Sequence, residues 1–151
     1  MATLWRSLVC RRVITDVETN SATYVDSVEG FRVPKVPHPF PPVFVVTVWR
    51  RNAEHERIRV RLRVQGPSQE DLFVFEVPEQ EPTAEFHRHN VRMGGFGITQ
   101  AGDHHILVEE HTGKNWKTIG MVPVRVQLAE MNNPVERGSK PTGKSSKKSA
   151  D

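Results

Sequence analysis

Five of the chain's seven histidines, His87, His89, His104, His105 and His111, lie close together in sequence. Imidazole is a common metal ligand, and His87 and His89, two positions apart, share one face if they lie on a strand. A cupin-like jelly roll builds its metal centre from such a pair, a glutamate three or four residues later and a further histidine. Here Asn90, Val91, Arg92, Met93 and Gly94 follow the pair, and none is a carboxylate. A third ligand would have to come from His104, His105 or His111. His105 and His111 share strand parity, while His104 points the other way. A metal-dependent jelly-roll enzyme using His87, His89 and His105 is therefore one reading. Solvent-facing histidines on edge strands account for the same residues without a metal, and on that reading no cofactor is expected.

A second candidate chemistry is phosphate binding. Arg57, Arg59, Arg61 and Arg63 alternate with Ile58, Val60, Leu62 and Val64. On a strand this period places four guanidinium groups on one face, where they could follow a phosphate backbone. The interleaved residues are aliphatic, however, and sites for single strands stack bases on exposed aromatics. Glu54, Glu56, Glu70 and Asp71 also stand close enough in sequence to neutralise the row. Met93-Gly94-Gly95-Phe96-Gly97 has the composition of a phosphate cradle without its spacing, since Gln100 stands where GxGxxG needs its last glycine. It reads as a glycine-permitted loop between strands. GxSxG and HExxH are absent, and Cys10 lies in an apolar run with no activating motif beside it.

Strands must position these residues. The arginine row predicts a half-buried antiparallel strand ended by Gly66-Pro67-Ser68. Val43 to Arg50, β-branched and aromatic, predicts a strand at a sheet centre, joined to the arginine strand as a hairpin through Arg51-Asn52-Ala53-Glu54-His55. Pro34 to Pro42 is too rich in proline for a helix or interior strand and predicts an extended crossing. Further strands are expected at Leu8 to Ile14, Tyr24 to Val33 with a bulge or bend at Gly30, Leu72 to Val77, Glu85 to Val91, His104 to His111 and Trp116 to Leu128. Thr112 to Asn115 forms a hairpin loop. No segment carries a helical apolar stripe.

The chain of 151 residues has one cysteine, which excludes an internal disulfide and a cysteine-rich zinc site. No apolar run approaches the ~18 residues of a membrane span, and a cytoplasmic setting is the expectation. The formal charge of +3 sits in one place. Arg137, Lys140, Lys144, Lys147 and Lys148 stand against Glu136 and Asp151, so the residues before them are formally neutral. From Glu136 onward only Ala150 is apolar, too little to offset ordering entropy. The expected organisation is a β domain over residues 1–130 and a disordered basic tail over 131–151. Lys140, Lys144, Lys147 and Lys148 of that tail are candidates for weak nucleic-acid binding.

The order of these segments, LVCRRV, VDSVEGFRVPKVPHPFPP, VFVVTVWRR, IRVRLRV, HHILVEE and IGMVPVRVQL, resembles a family of uncharacterised bacterial β-sandwich domains over roughly residues 4–128. The loop glycine Gly102 and the Val122-Pro123-Val124 pattern belong to the same likeness. The strands and their spacing predict an all-β antiparallel β-sandwich, immunoglobulin-like or jelly-roll, of about eight strands, and the likeness implies the same fold; it carries no activity or catalytic residues. The expected function is a non-enzymatic interaction module binding another protein through loops or a sheet edge. Its candidate contact residues are Pro39, Phe40 and Pro41 of the proline segment, Phe96 among the glycines, and Arg59 and Arg61.

Overall fold

Because a period of two sends every second side chain to the same side, Ile58, Val60, Leu62 and Val64 turn inward together and the arginines between them turn outward. The computed structural model describes residues 1–129, and these are all-β, with no helix among them. In chain order the strands are β1 (Thr3–Thr15), β2 (Ala22–Ser27), β3 (Gly30–Val33), β4 (His38–Pro39), β5 (Val43–Arg50) and β6 (Ile58–Gln65). They continue with β7 (Asp71–Gln80), β8 (Phe86–Met93), β9 (Gly97–Ile98), β10 (Gly102–His111) and β11 (Trp116–Leu128). A four-stranded sheet has the order β2-β1-β5-β8, a five-stranded sheet has β3-β11-β10-β6-β7, and β4 pairs with β9. Val9, Val45 and Trp49 of the first sheet join Leu62, Ile106 and Val124 of the second in one buried cluster. Each such side chain stabilises the fold by about 1.5–3 kcal/mol, and the arrangement fits a β-sandwich.

Several expectations hold. β5 lies between β1 and β8 and is buried on nearly its whole length, as a central strand should be. Thr112 to Asn115 closes the β10–β11 hairpin, and the proline segment crosses from β3 of one sheet to β5 of the other. Others need correction. β5 and β6 are not a hairpin: they belong to different sheets, and Arg51 to Arg57 crosses between them. Both edges of β5 are already taken by β1 and β8. Tyr24 to Val33 is two strands in two sheets, divided before Gly30. The fold is not wholly antiparallel, because β3 runs parallel to β11. An added Cβ on Gly30 would lie 2.5 Å from the carbonyl oxygen of Arg125, so this close pairing requires the glycine. Among the described residues eleven strands, two of them only two residues long, replace the expected eight or so. The predicted disordered tail, with Lys140, Lys144, Lys147 and Lys148, lies outside the described residues.

Candidate functional site

The histidines are dispersed by the fold. His87 and His89 point inward from β8, the edge of the four-stranded sheet, with ring centroids 4.8 Å apart. His104, fully buried, faces inward from β10 of the other sheet and its Nδ1 donates to the Gly102 carbonyl at 3.0 Å. His105 and His111 lie on the outer face of β10, beside Gln65 and Trp116 respectively. Among the described residues no three histidine, cysteine, aspartate or glutamate side chains come together as a metal-binding group. The proposed set of His87, His89 and His105 is therefore not assembled: sheet parity sends its members to different faces. His87 Nε2 instead donates to Gln80 Oε1 at 2.5 Å. His89 is 5% exposed, and neither of its ring nitrogens has a hydrogen-bond partner among the described residues. Burial, and after it the neighbouring His87, pushes its pKa down to about 4.

The arginine row is real but neutralised. Arg57 pairs with Glu79, Arg59 with Glu76, and both Arg61 and Arg63 with Glu109, while Asp71 also approaches Arg63. Of the four acids expected to do this, only Asp71 takes part. Glu109 comes from β10, opposite Arg61 in the register, and is almost wholly buried. Burial pushes its carboxyl up, but the hydrogen bonds and charges of Arg61 and Arg63 outweigh that and hold it below the usual range. The Trp116 ring lies 5.4 Å from the Arg59 guanidinium carbon and 4.6 Å from that of Arg61. Arg59 and Arg61 are thus occupied by carboxylates and an indole, which leaves little of the row to follow a phosphate backbone.

The proline and glycine segments hold each other. Phe40 is 1% exposed and stacks on Phe96 at 4.6 Å, and Phe96 stacks on Phe73 at 5.0 Å. The Phe40 amide donates to the Phe96 carbonyl and the Gly95 amide to the Phe40 carbonyl. A Cβ at Gly94 would lie 2.9 Å from Pro42 Cα, so the loop has the glycine it needs to approach. Phe40 and Phe96, expected as contact residues, thus serve the interior; Pro39 is exposed and Pro41 half-buried beside them. Cys10 is buried and free, and burial pushes its thiol pKa up, which makes it less reactive.

A cleft on the side of the sandwich was not visible from sequence. β7 ends the five-stranded sheet and β8 ends the four-stranded one, and they follow each other through Glu81 to Glu85. Between them lies a cavity of about 300 Å3 walled by Phe75, Val77, Val91 and His89, with Arg88 and Arg92 also on its border. Phe75 faces inward on its strand opposite Leu62, yet remains 38% exposed because no strand among the described residues covers it. The His87–Gln80 hydrogen bond lies toward one end of this side and the Phe73–Phe96 stack toward the other. The only local signal in the sequence is the β8 segment itself, FHRHNVRM, which alternates but puts histidine where aliphatics are expected.

Charge is unevenly divided between the sheets. The strands of the five-stranded sheet carry six basic and six acidic residues. Those of the four-stranded sheet carry Arg6, Arg11, Arg12, Arg50, Arg88 and Arg92 against Asp26 alone. Of these six arginines only Arg50 has a carboxylate partner among the described residues, Glu85 at 3.2 Å. No helix among the described residues is long and apolar enough to cross a membrane. No protein-family model and no curated protein matches the chain.

Proposed function

We propose that this protein is an immunoglobulin-like β-sandwich that works as a non-enzymatic interaction module, docking an extended segment of another protein along its open side. The strand order supports the immunoglobulin-like form over a jelly roll. β6, β10 and β11 are neighbours as strands C, F and G are in that fold, with β7 beside β6 in the place of C′. In the other sheet β1, β5 and β8 stand as A, B and E. The observation that carries the functional reading is the cleft between β7 and β8. Two sheet edges border it, and an exposed edge offers unpaired backbone donors and acceptors to an added strand. Its apolar walls can take alternate side chains of such a strand.

Selection from a displayed library of extended peptides against the full chain tests this. Recovered peptides should bind the protein, protect β8 amides from hydrogen exchange, and lose binding to a Phe75→Arg variant, whose substituted side chain is partly exposed and tolerable. Failure to enrich any peptide, or enriched peptides indifferent to Phe75→Arg, overturns the reading.

A further inference from the structure

The chemistry of the docking segment can be taken further, on the reading that the open side is where it docks. We infer that the occupant is an acidic strand of another protein, which adds to the free edge of β8 with apolar residues toward Phe75, Val77 and Val91 and carboxylates against Arg88 and Arg92.

Topology supplies the first argument. In an immunoglobulin sheet of order A-B-E-D, a strand D closes the edge beyond E. Here the chain passes from β7 to β8 through only Glu81 to Glu85, so that seat has no strand of this chain's described residues. The inward residues along it explain why the side is not blunted. Phe75 and Val91 would be covered by a neighbouring strand, and among the described residues none covers them, whereas edges that must avoid pairing carry inward charges or bulges.

Charge supplies the second. β8 has two arginines and no acid, and neither Arg88 nor Arg92 has a carboxylate partner among the described residues. Arg88 Nε is moreover enclosed without any hydrogen-bond acceptor among the described residues. Donors in that state favour a ligand that brings carboxylates. The same arginines argue against a second copy of the chain. Two β8 strands paired antiparallel about Asn90 would set Arg88 directly opposite Arg92 of the other copy, and like charges so placed are destabilising. The chain's own tail is an unsuitable occupant for the same reason, with five basic residues against two acids after position 135. Nucleic acid would match the charge. It would leave the apolar walls and the backbone edge unused, and those favour a peptide.

Two peptides of the length of β8 test the inference, one alternating valine with glutamate and one valine with lysine, titrated into the full chain by fluorescence anisotropy beside oligo-thymidine. The glutamate peptide should bind about tenfold more tightly than the lysine peptide. Arg88→Gln with Arg92→Gln should abolish the difference, and Arg88→Glu with Arg92→Glu should reverse it, with thermal unfolding unchanged in both. β8 amides should become protected from exchange on binding. Equal binding of the two peptides, or binding of library-selected neutral peptides alone, overturns the acidic chemistry while leaving the docking side intact. Absence of any peptide binding overturns the docking side as well. Binding of oligo-thymidine with no peptide binding overturns the inference in favour of nucleic acid, and a concentration-dependent dimer with protected β8 overturns it in favour of self-pairing.

Discussion

His89 makes stability depend on pH in a way that can be isolated. Its imidazole has an ordinary pKa of 6.5 in the unfolded chain and about 4 in the folded one, because burial disfavours the charged form. Between those values the unfolded chain holds a proton that the folded chain does not. Stability from this group is thus complete above pH 6.5 and falls progressively as pH drops towards 4. A shift of this size corresponds to about 3 kcal/mol, at 1.36 kcal/mol per unit. Carboxylates such as Glu109 and Asp103, held below their usual range, are lost over a lower and partly overlapping span, and Glu110, raised by burial, acts with the opposite sign. Comparison with His89→Phe removes these shared contributions. Urea unfolding of both proteins at intervals from about pH 7.5 to 4 should give a difference curve that changes by about 3 kcal/mol in favour of the variant on acidification. At neutral pH the variant should be as stable as the parent or more so, since neither ring nitrogen of His89 gives up a hydrogen bond. A difference curve flat across this range would refute the argument, because it would mean that the imidazole ionises alike in both states.

Three substitutions probe the packing. Glu109→Gln should cost about 2–3 kcal/mol in denaturant unfolding, since it leaves Arg61 and Arg63 facing a neutral group while both keep some contact with water; no measurable loss would mean that the carboxylate is not holding them. Phe40→Ala should cost about 3–5 kcal/mol by the same measurement, as a fully buried ring in an aromatic stack, and a loss below about 1 kcal/mol would return Phe40 to the surface. Gly94→Ala should cost about 1–3 kcal/mol, because the added methyl meets the backbone of Phe40 and Pro42; a neutral thermal shift would show that the loop can move away.

The features legible in sequence were those set by local period. The arginine row fixed both the existence of β6 and its orientation, and the β-branched run of β5 announced a central strand. Pairing was a different matter. Arg51 to Arg57 is short and polar, as a hairpin connection would be, and its residues do not tell that β5 is already flanked on both sides. Gly30 reads in the sequence as a bulge or bend within one strand, whereas it opens a new strand in the other sheet and is required by an approach to Arg125, nearly a hundred positions away. The same limit applies to function. The parity of His87 and His89 was correct, and so was that of His105 with His111; which face each pair occupied depended on sheets formed by distant pairing.

The charge of the chain illustrates how that distance matters for binding. Arg59 and Arg61 stand in a row visible in the sequence, yet Glu76 and Glu109 meet them across neighbouring strands. Arg88 and Arg92 are inconspicuous in sequence, separated by a histidine, an asparagine and a valine, and like Arg6, Arg11 and Arg12 of β1 they have no carboxylate partner among the described residues. An internal strand is flanked by two others and can recruit acids from both sides, as β6 does from β7 and β10. An edge strand has one neighbour, and the β5 residues opposite Arg88 and Arg92 are Val48 and Phe44. Two of the sheet's uncompensated arginines therefore lie where the backbone is also unpaired, so that hydrogen-bonding capacity, apolar surface and positive charge coincide along β8. Any partner that satisfies all three must be extended, partly apolar and acidic.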